Sequence, residues 1–237
     1  APTGNDPPLF AGTLQDLAVP AGWAIRPELT MPDVKGIQDI CGRLDRGEID
    51  RDQFFGQLTR AIADLIGCPR AGVGIFVDPA EGRALRCMAM YDRRVDRIVG
   101  ATDMLNAATG PYFDRLLADG CVIAPDARHD PATAHFLDDY LLPLDLHSVL
   151  DVCFSVNGVL FGAFTCEQAG EPLLWSQRQV RLLRQVGSRA SLALLHAATA
   201  HTDTHPGALW EPSSPNRLLT KPMPLEPDED LARREPS

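Results

Sequence analysis

A chain of 237 residues with 45% hydrophobic and 23% charged side chains has the make-up of a globular protein with one full core and room for extensions. Its formal net charge of −10 offers no general basic surface for phosphate contacts, which excludes a general nucleic-acid binder. No apolar run reaches the roughly eighteen residues of a membrane span, and the first residues, APTGNDPP, lack the basic region and apolar core of a signal peptide, so the sequence reads as cytoplasmic and off the membrane.

Residues 1–29 are punctuated by Pro and Gly and form an irregular arm, with Leu14, Leu17, Val19 and Trp23 as an apolar patch that lies on the domain. Thr30 then caps a helix with Pro32 in its first turn, and Val34, Ile37, Ile40, Cys41 and Leu44 make one apolar stripe over a 30–49 segment that is also a candidate dimer contact. Asp50 and Gln53 are a second capping pair, followed by Phe54, Leu58, Ala61, Ile62 and Leu65 on one face and Gly67 as the stop.

Strands are predicted over 71–77 and 85–91, with turn chemistry at Asp78, Pro79 and Gly82 between them, and residues 95–106 read as a short strand and a loop. Gly110 and Pro111 open a short helix that Gly120 closes, and 121–124 is a short buried strand. Residues 125–147 are rich in Asp, His and Pro and too irregular for one long element, though 132–141 is compatible with a helix.

The stretch SVLDVCFSVNGVLFGAFTC, residues 148–166, predicts two antiparallel strands joined by Asn157-Gly158, the pair that best tolerates the positive φ angles of a two-residue hairpin turn. Alternation places Leu150, Val152, Phe154 and Val156 on one side and Asp151, Cys153 and Ser155 on the other, with Thr165 and Glu167 alternating with Phe164 and Cys166 on the second strand. Ser176 and Gln179 cap a last helix that runs to about Ala200, with Val180, Leu183, Gly187, Ala190 and Leu194 on one face and Leu182, Val186 and Leu195 on another. One face suits the sheet. The other suits a second helix, that of residues 30–46, within the chain or across a dimer. Residues 202–237 are Pro-rich and acidic without apolar periodicity, the composition of a disordered tail.

The order of these features resembles the GAF family of small-molecule sensor domains. The matching residues are the strand ending in Asp126, the loop rich in Asp and Pro after it, Ser148-Val149-Leu150-Asp151-Val152, the Asn157-Gly158 turn, Gly162 in the next strand, and Trp175 before the closing helix. The resemblance covers about residues 50–195 and implies an α/β (α+β) fold: a GAF/PAS-like central antiparallel sheet, the helices from Asp50 and Ser176 on one face and a ligand-covering loop and helix segment on the other. It divides the chain into the arm, the 30–49 helix, a 50–201 domain and the tail.

It further implies a ligand site between the sheet and the covering segment, formed by Tyr112, Phe113, Asp126, His129, His135, His147, Asp151 and Cys153. The alternative for these side chains is that they are solvated or bonded to loop backbone. His129, His135 and His147 with Asp126 and Asp151 also admit a metal or haem reading, but no two of these histidines share the spacing that sets ligands together on one element. The tetrapeptide Asp151-Val152-Cys153-Phe154 matches a bilin-attachment motif of the family in the wrong strand, and of the cyclic-nucleotide signature only the aromatic Trp175 remains.

The six cysteines, Cys41, Cys68, Cys87, Cys121, Cys153 and Cys166, are widely spaced without a C-x-x-C pair and read as reduced, packed thiols. The family also contains a reductase of free methionine sulfoxide, for which Cys121 and Cys153 are the candidate pair if they approach across the pocket. The expected function is a non-catalytic, stand-alone bacterial small-molecule sensor that signals through its terminal helices or a protein partner, as a homodimer. The rivals are a thiol-dependent reductase of a small oxidised metabolite and a pocketless dimerisation scaffold. No cofactor, metal or catalytic residue is assigned.

Overall fold

A computed structural model of the chain describes residues 34–77, 84–100, 104–105 and 110–200. The arm over 1–29, the Thr30 cap, the turn at 78–82 and the tail over 202–237 lie outside these residues.

Three helices lie on one side of the sheet. Helix α1 (Lys35–Asp45) starts after Val34 without a side-chain cap and buries Ile37, Ile40, Cys41 and Leu44. Helix α2 (Arg51–Ile66) begins at the predicted capping pair: the Asp50 carboxylate accepts from the Gln53 amide at 2.8 Å, and Gln53 Oε1 accepts from the Asp50 amide at 3.1 Å. It ends on Gly67 in the left-handed region. Helix α4 (Gln177–Ala200) opens on the same device, since Ser176 Oγ accepts from the Gln179 amide while Gln179 Oε1 accepts from the Ser176 amide. Gln179 Nε2 also donates to the carbonyl of Ile66 at 3.1 Å, so the start of α4 satisfies the end of α2. Between α2 and α4 on one side and solvent on the other lies α1, which packs on α4 within the chain and adds a His196–Asp45 contact of 3.5 Å.

The strands β1 (Arg70–Val77), β2 (Ala84–Asp92), β3 (Arg97–Val99), β4 (Met104–Leu105), β5 (Cys121–Ala124), β6 (Leu146–Val156) and β7 (Val159–Ala169) form one antiparallel sheet in the order β3-β2-β1-β7-β6-β5, with β4 pairing β2. The region 95–106 thus holds two short strands. The β6–β7 hairpin turns at Asn157 (φ 50°) and Gly158 (φ 75°), the left-handed pair that a two-residue turn needs. Gly158→Ala is therefore expected to cost about 1 kcal/mol, read as a lower urea midpoint at unchanged slope.

Period-two alternation divides the core in two. Leu150, Val152 and Phe154 of β6 and Phe164 and Cys166 of β7 pack against the three helices, together with Phe54, Leu58, Ile62, Val186 and Trp175. Val149 and Ala163 face the other way, into a second cluster with Tyr112, Phe113 and Leu116 of helix α3 (Gly110–Asp119) and Leu141 and Leu146. Gly162 is where β7 crosses β1 closely: a Cβ there would lie 2.1 Å from the Gly74 carbonyl oxygen. Among the described residues, no helix is long and apolar enough to cross a membrane.

Candidate functional site

The face of the sheet away from the three helices is covered by α3 and by residues 125–145. Ser148 fastens the start of the segment, and Thr133 braces it from within. Ser148 Oγ donates to the Pro125 carbonyl at 2.6 Å and accepts from the Leu173 amide at 2.7 Å, while Thr133 Oγ1 donates to the Ala127 carbonyl at 2.6 Å. The helix expected over 132–141 is instead a 3-10 turn (Ala134–Phe136) running into a π turn (Leu137–Leu141), bounded outside by Pro131 and Pro143. The wider turn carries Tyr140 inward.

At the centre of this layer stands Asp151, 1% exposed. The Tyr112 hydroxyl donates to its Oδ2 at 2.9 Å, and Oδ1 has no hydrogen-bond partner of proper geometry among the described residues. Burial raises this carboxyl to about 7. Thr165, directly across on β7, and Tyr112 pull it down without offsetting burial, and Glu167 adds to the rise. Burial beside Asp151 likewise holds the Tyr112 phenol well above its ordinary value. Around this pair the rings are close: Tyr112 meets Phe113 at 5.7 Å and Phe136 at 5.4 Å, both edge-to-face, and Phe113 meets Phe76 at 6.3 Å.

Of the eight residues predicted for the site, Tyr112, Phe113, Asp151 and Cys153 come together in this layer. Asp126 and His129 pair with one another at 2.9 Å, with the His129 side chain 82% exposed. His147 Nε2 pairs with Asp145 at 3.1 Å, and His135 is exposed with its ring 3.9 Å from that of Phe136. The three histidines thus take separate partners and do not converge, with His129 and His135 exposed on the cover and His147 half-buried on β6. Among the described residues no group of three or more His, Cys, Asp and Glu side chains is arranged to hold a metal ion. A shallow depression of about 350 Å³ lies elsewhere, between Gly67, Pro69, Arg93, Arg94 and Gly170, and none of the eight residues lines it.

The two cysteines of the thiol reading do not face each other. Cys121 pairs across from Val152 and so shares the helix-facing side, where Arg184 of α4 acts on it, whereas Cys153 points into the opposite layer and donates to the Leu116 carbonyl at 3.6 Å. Burial raises both thiols, Cys153 to about 12. A thiol held that high is a weak nucleophile at neutral pH.

The sequence reading missed a second polar centre in the same layer. Arg70 donates from Nε to Glu167 at 2.6 Å, from one terminal nitrogen to Asp92 at 2.8 Å and from the other to the Tyr140 hydroxyl at 3.3 Å. Tyr140 in turn donates to Glu167 at 2.6 Å. Arg94 donates to both Asp92 oxygens, at 3.0 and 2.7 Å, and to the Leu144 carbonyl at 3.0 Å. Burial alone would lower the Arg70 pKa, but the charge of Glu167 overrides it and raises it above the usual guanidinium range. The one signal in the sequence was charge placed on strand positions otherwise apolar, Arg70 before AGVGIFV and Glu167 after Cys166.

An antiparallel sheet with a helical layer on one side and a cover with a buried polar centre on the other defines a sensor-type α+β domain. The sequence profile of the GAF domain matches residues 50–194, and the chain belongs to that family. Among solved structures, the phycoerythrobilin-bound GAF domain from a cyanobacterial phytochrome aligns with a TM-score of 0.56 at 13% identity, over 73% of this chain and 100% of that one. The GAF domain from an Acinetobacter phosphoenolpyruvate-protein phosphotransferase aligns with a TM-score of 0.54 at 12% identity, over 75% and 99%. Free methionine-R-sulfoxide reductase from Neisseria meningitidis, solved in complex with its substrate, aligns with a TM-score of 0.51 at 9% identity, over 75% and 96%. At these identities the likeness concerns the fold. A comparison with curated protein sequences finds no match.

Proposed function

We propose that this GAF domain is a non-catalytic small-molecule sensor whose ligand enters the layer between the sheet and α3, against Asp151. The observation that carries this reading is a fully buried carboxyl whose Oδ1 has no hydrogen-bond partner of proper geometry among the described residues, set beside the aromatic cluster of Tyr112, Phe113 and Phe136. A scaffold that needed only to pack would gain by an apolar residue there, because a buried acceptor without a donor costs about 1–3 kcal/mol. Sites that bind are where such costs persist.

The output follows from strand geometry. Strand β6 carries Asp151 on one face and Val152 and Phe154 on the other, where they meet the core that α4 helps to form. A ligand that shifts β6 acts on α4 and, through it, on α1. It moves that equilibrium only by its difference in affinity for the two arrangements. A homodimer or a signalling partner on the α1–α4 layer belongs to this reading, and Leu192 is exposed on α4.

The test is native and denaturing mass spectrometry of the purified protein, followed by thermal-shift screening of fractionated metabolite extract. A released small molecule, or a fraction that raises Tm progressively with its concentration, supports the sensor. Cys121→Ser, on the helix-facing side, is expected to leave that response unchanged, whereas the reductase rival requires its loss. The scaffold rival draws on the packing of Tyr112, Phe113, Phe136 and Leu141, which fill the layer in this structure. It predicts no bound mass and no active fraction.

A further inference from the structure

The two oxygens of Asp151 are unequal in a way that specifies a ligand. Oδ2 holds the Tyr112 hydroxyl at 2.9 Å, whereas Oδ1 is buried without a hydrogen bond of proper geometry among the described residues, although the Thr165 hydroxyl bears on the carboxyl from β7. The groups that bear on this carboxyl are acidic or neutral: Tyr112 from α3, Cys153 from its own strand, and Thr165 and Glu167 from β7. The buried guanidinium of the layer, Arg70, is already held by Glu167 and Asp92. What the site offers is therefore one unneutralised carboxylate inside an aromatic wall of Tyr112, Phe113 and Phe136.

Both parts of that wall favour the same charge. A carboxylate takes its strongest hydrogen bonds from cationic N–H donors, and a planar fork of two N–H groups matches both of its oxygens at once. The negative faces of aromatic rings attract cations as well, and more so away from water. Tyr112 supplies one well-formed hydrogen bond to one oxygen and Thr165 a weaker influence from β7, so together they are a partial substitute for a ligand that donates squarely to both.

Resting on the ligand-site reading above, we infer that the ligand is a small organic cation of the amidine or guanidine class on a flat apolar body, which donates to both oxygens of Asp151 and displaces the Tyr112 hydroxyl. Displacement gives the binding event an output. Tyr112 is one of the three buried side chains by which α3 holds to the layer, with Phe113 and Leu116, so its release repositions α3 over β5 and β6.

The inference is tested by thermal shift and isothermal titration on the full chain at pH 8, with benzamidine as the fork-shaped cation and benzylamine, benzamide and benzoate as point-charge, neutral and anionic comparisons. Benzamidine is expected to bind saturably in the titration and to raise Tm by about 3–5 °C at ten times its Kd, and benzylamine less. The affinity should fall about tenfold between pH 8 and pH 6 as the carboxyl, titrating near 7, takes up its proton. Asp151→Asn should abolish the response. Tyr112→Phe, which frees Oδ2, should strengthen it several-fold.

Equal responses of wild type and Asp151→Asn overturn the inference, as does a wild-type and Tyr112→Phe protein that ignores benzamidine. Stabilisation by benzamide or benzoate as strong as that by benzamidine also overturns it, but leaves the ligand-site reading standing. That reading falls separately, on mass spectrometry and extract fractions that yield no ligand.

Discussion

Replacing Arg70 with methionine should destabilise the protein by about 3–5 kcal/mol, the cost of breaking a buried ion pair by removing one partner. The side chains of Arg70, Asp92 and Glu167 are 4%, 5% and 3% exposed, so water cannot take the place of the lost guanidinium. Asp92 keeps both of its contacts to Arg94, but among the described residues Glu167 keeps the Tyr140 hydroxyl alone. The penalty therefore concentrates on Glu167. The double replacement Arg70→Met with Glu167→Leu should recover most of the lost stability, since it leaves no unpaired charge on that side. Urea unfolding of the two single variants and the double variant closes the cycle. If the double variant is as unstable as the sum of the singles, the network is not a coupled unit.

The same network has a local role that a global midpoint does not report. Tyr140 and the Leu144 carbonyl belong to the cover, and Arg70, Asp92 and Glu167 belong to β1, β2 and β7. Tyr140→Phe removes the hydroxyl that donates to Glu167 and accepts from Arg70, yet keeps the ring. The expected result is a modest loss of stability, about 1 kcal/mol, with faster amide exchange confined to 137–144. Exchange rising equally across the sheet would show that Tyr140 does not hold the cover in particular.

These contacts explain what the sequence revealed and what it hid. Caps and turns depend on neighbours, so Asp50 with Gln53, Ser176 with Gln179, and Asn157-Gly158 were legible from their chemistry alone. Alternation likewise placed Asp151 on the face opposite Phe154 and Phe164, where the structure buries it. Arg70 and Glu167 stand 97 positions apart, and only the β1–β7 register brings them opposite each other. Register also decides the cysteines, because pairing Cys121 with Val152 puts it on the helix side, away from Cys153. The histidines misled for a different reason: Asp and His crowd one irregular segment, but His129 and His147 find their partners three and two residues away and do not converge on the layer. A π turn at Leu137–Leu141 has no local sequence rule, so the inward aim of Tyr140 could not be read.

Asp151→Asn should make the ligand-free protein more stable at pH 8, by up to about 4 kcal/mol, and leave it little changed at pH 4. The size follows from a carboxyl carried from 3.8 to about 7, three units at about 1.4 kcal/mol each. The native state holds this proton to higher pH than the unfolded chain does. Stability from this group is therefore complete below about pH 4, is lost as pH rises from there through about 7, and stays lost above. Asparagine has no proton to lose and keeps a group that can bond the Tyr112 hydroxyl. Other groups titrate over the same range, so the informative curve is the difference in unfolding free energy between wild type and variant, measured at half-unit steps from pH 4 to 8.5. It should rise in favour of the variant and flatten above about 7. Parallel curves would mean that the carboxyl is not ionised against burial, and the charge that a cationic ligand is expected to meet would then be missing. A rising curve would show a protein that keeps a destabilising carboxylate where an amide fits better. The stability it gives up is what a ligand with two N–H donors is placed to return.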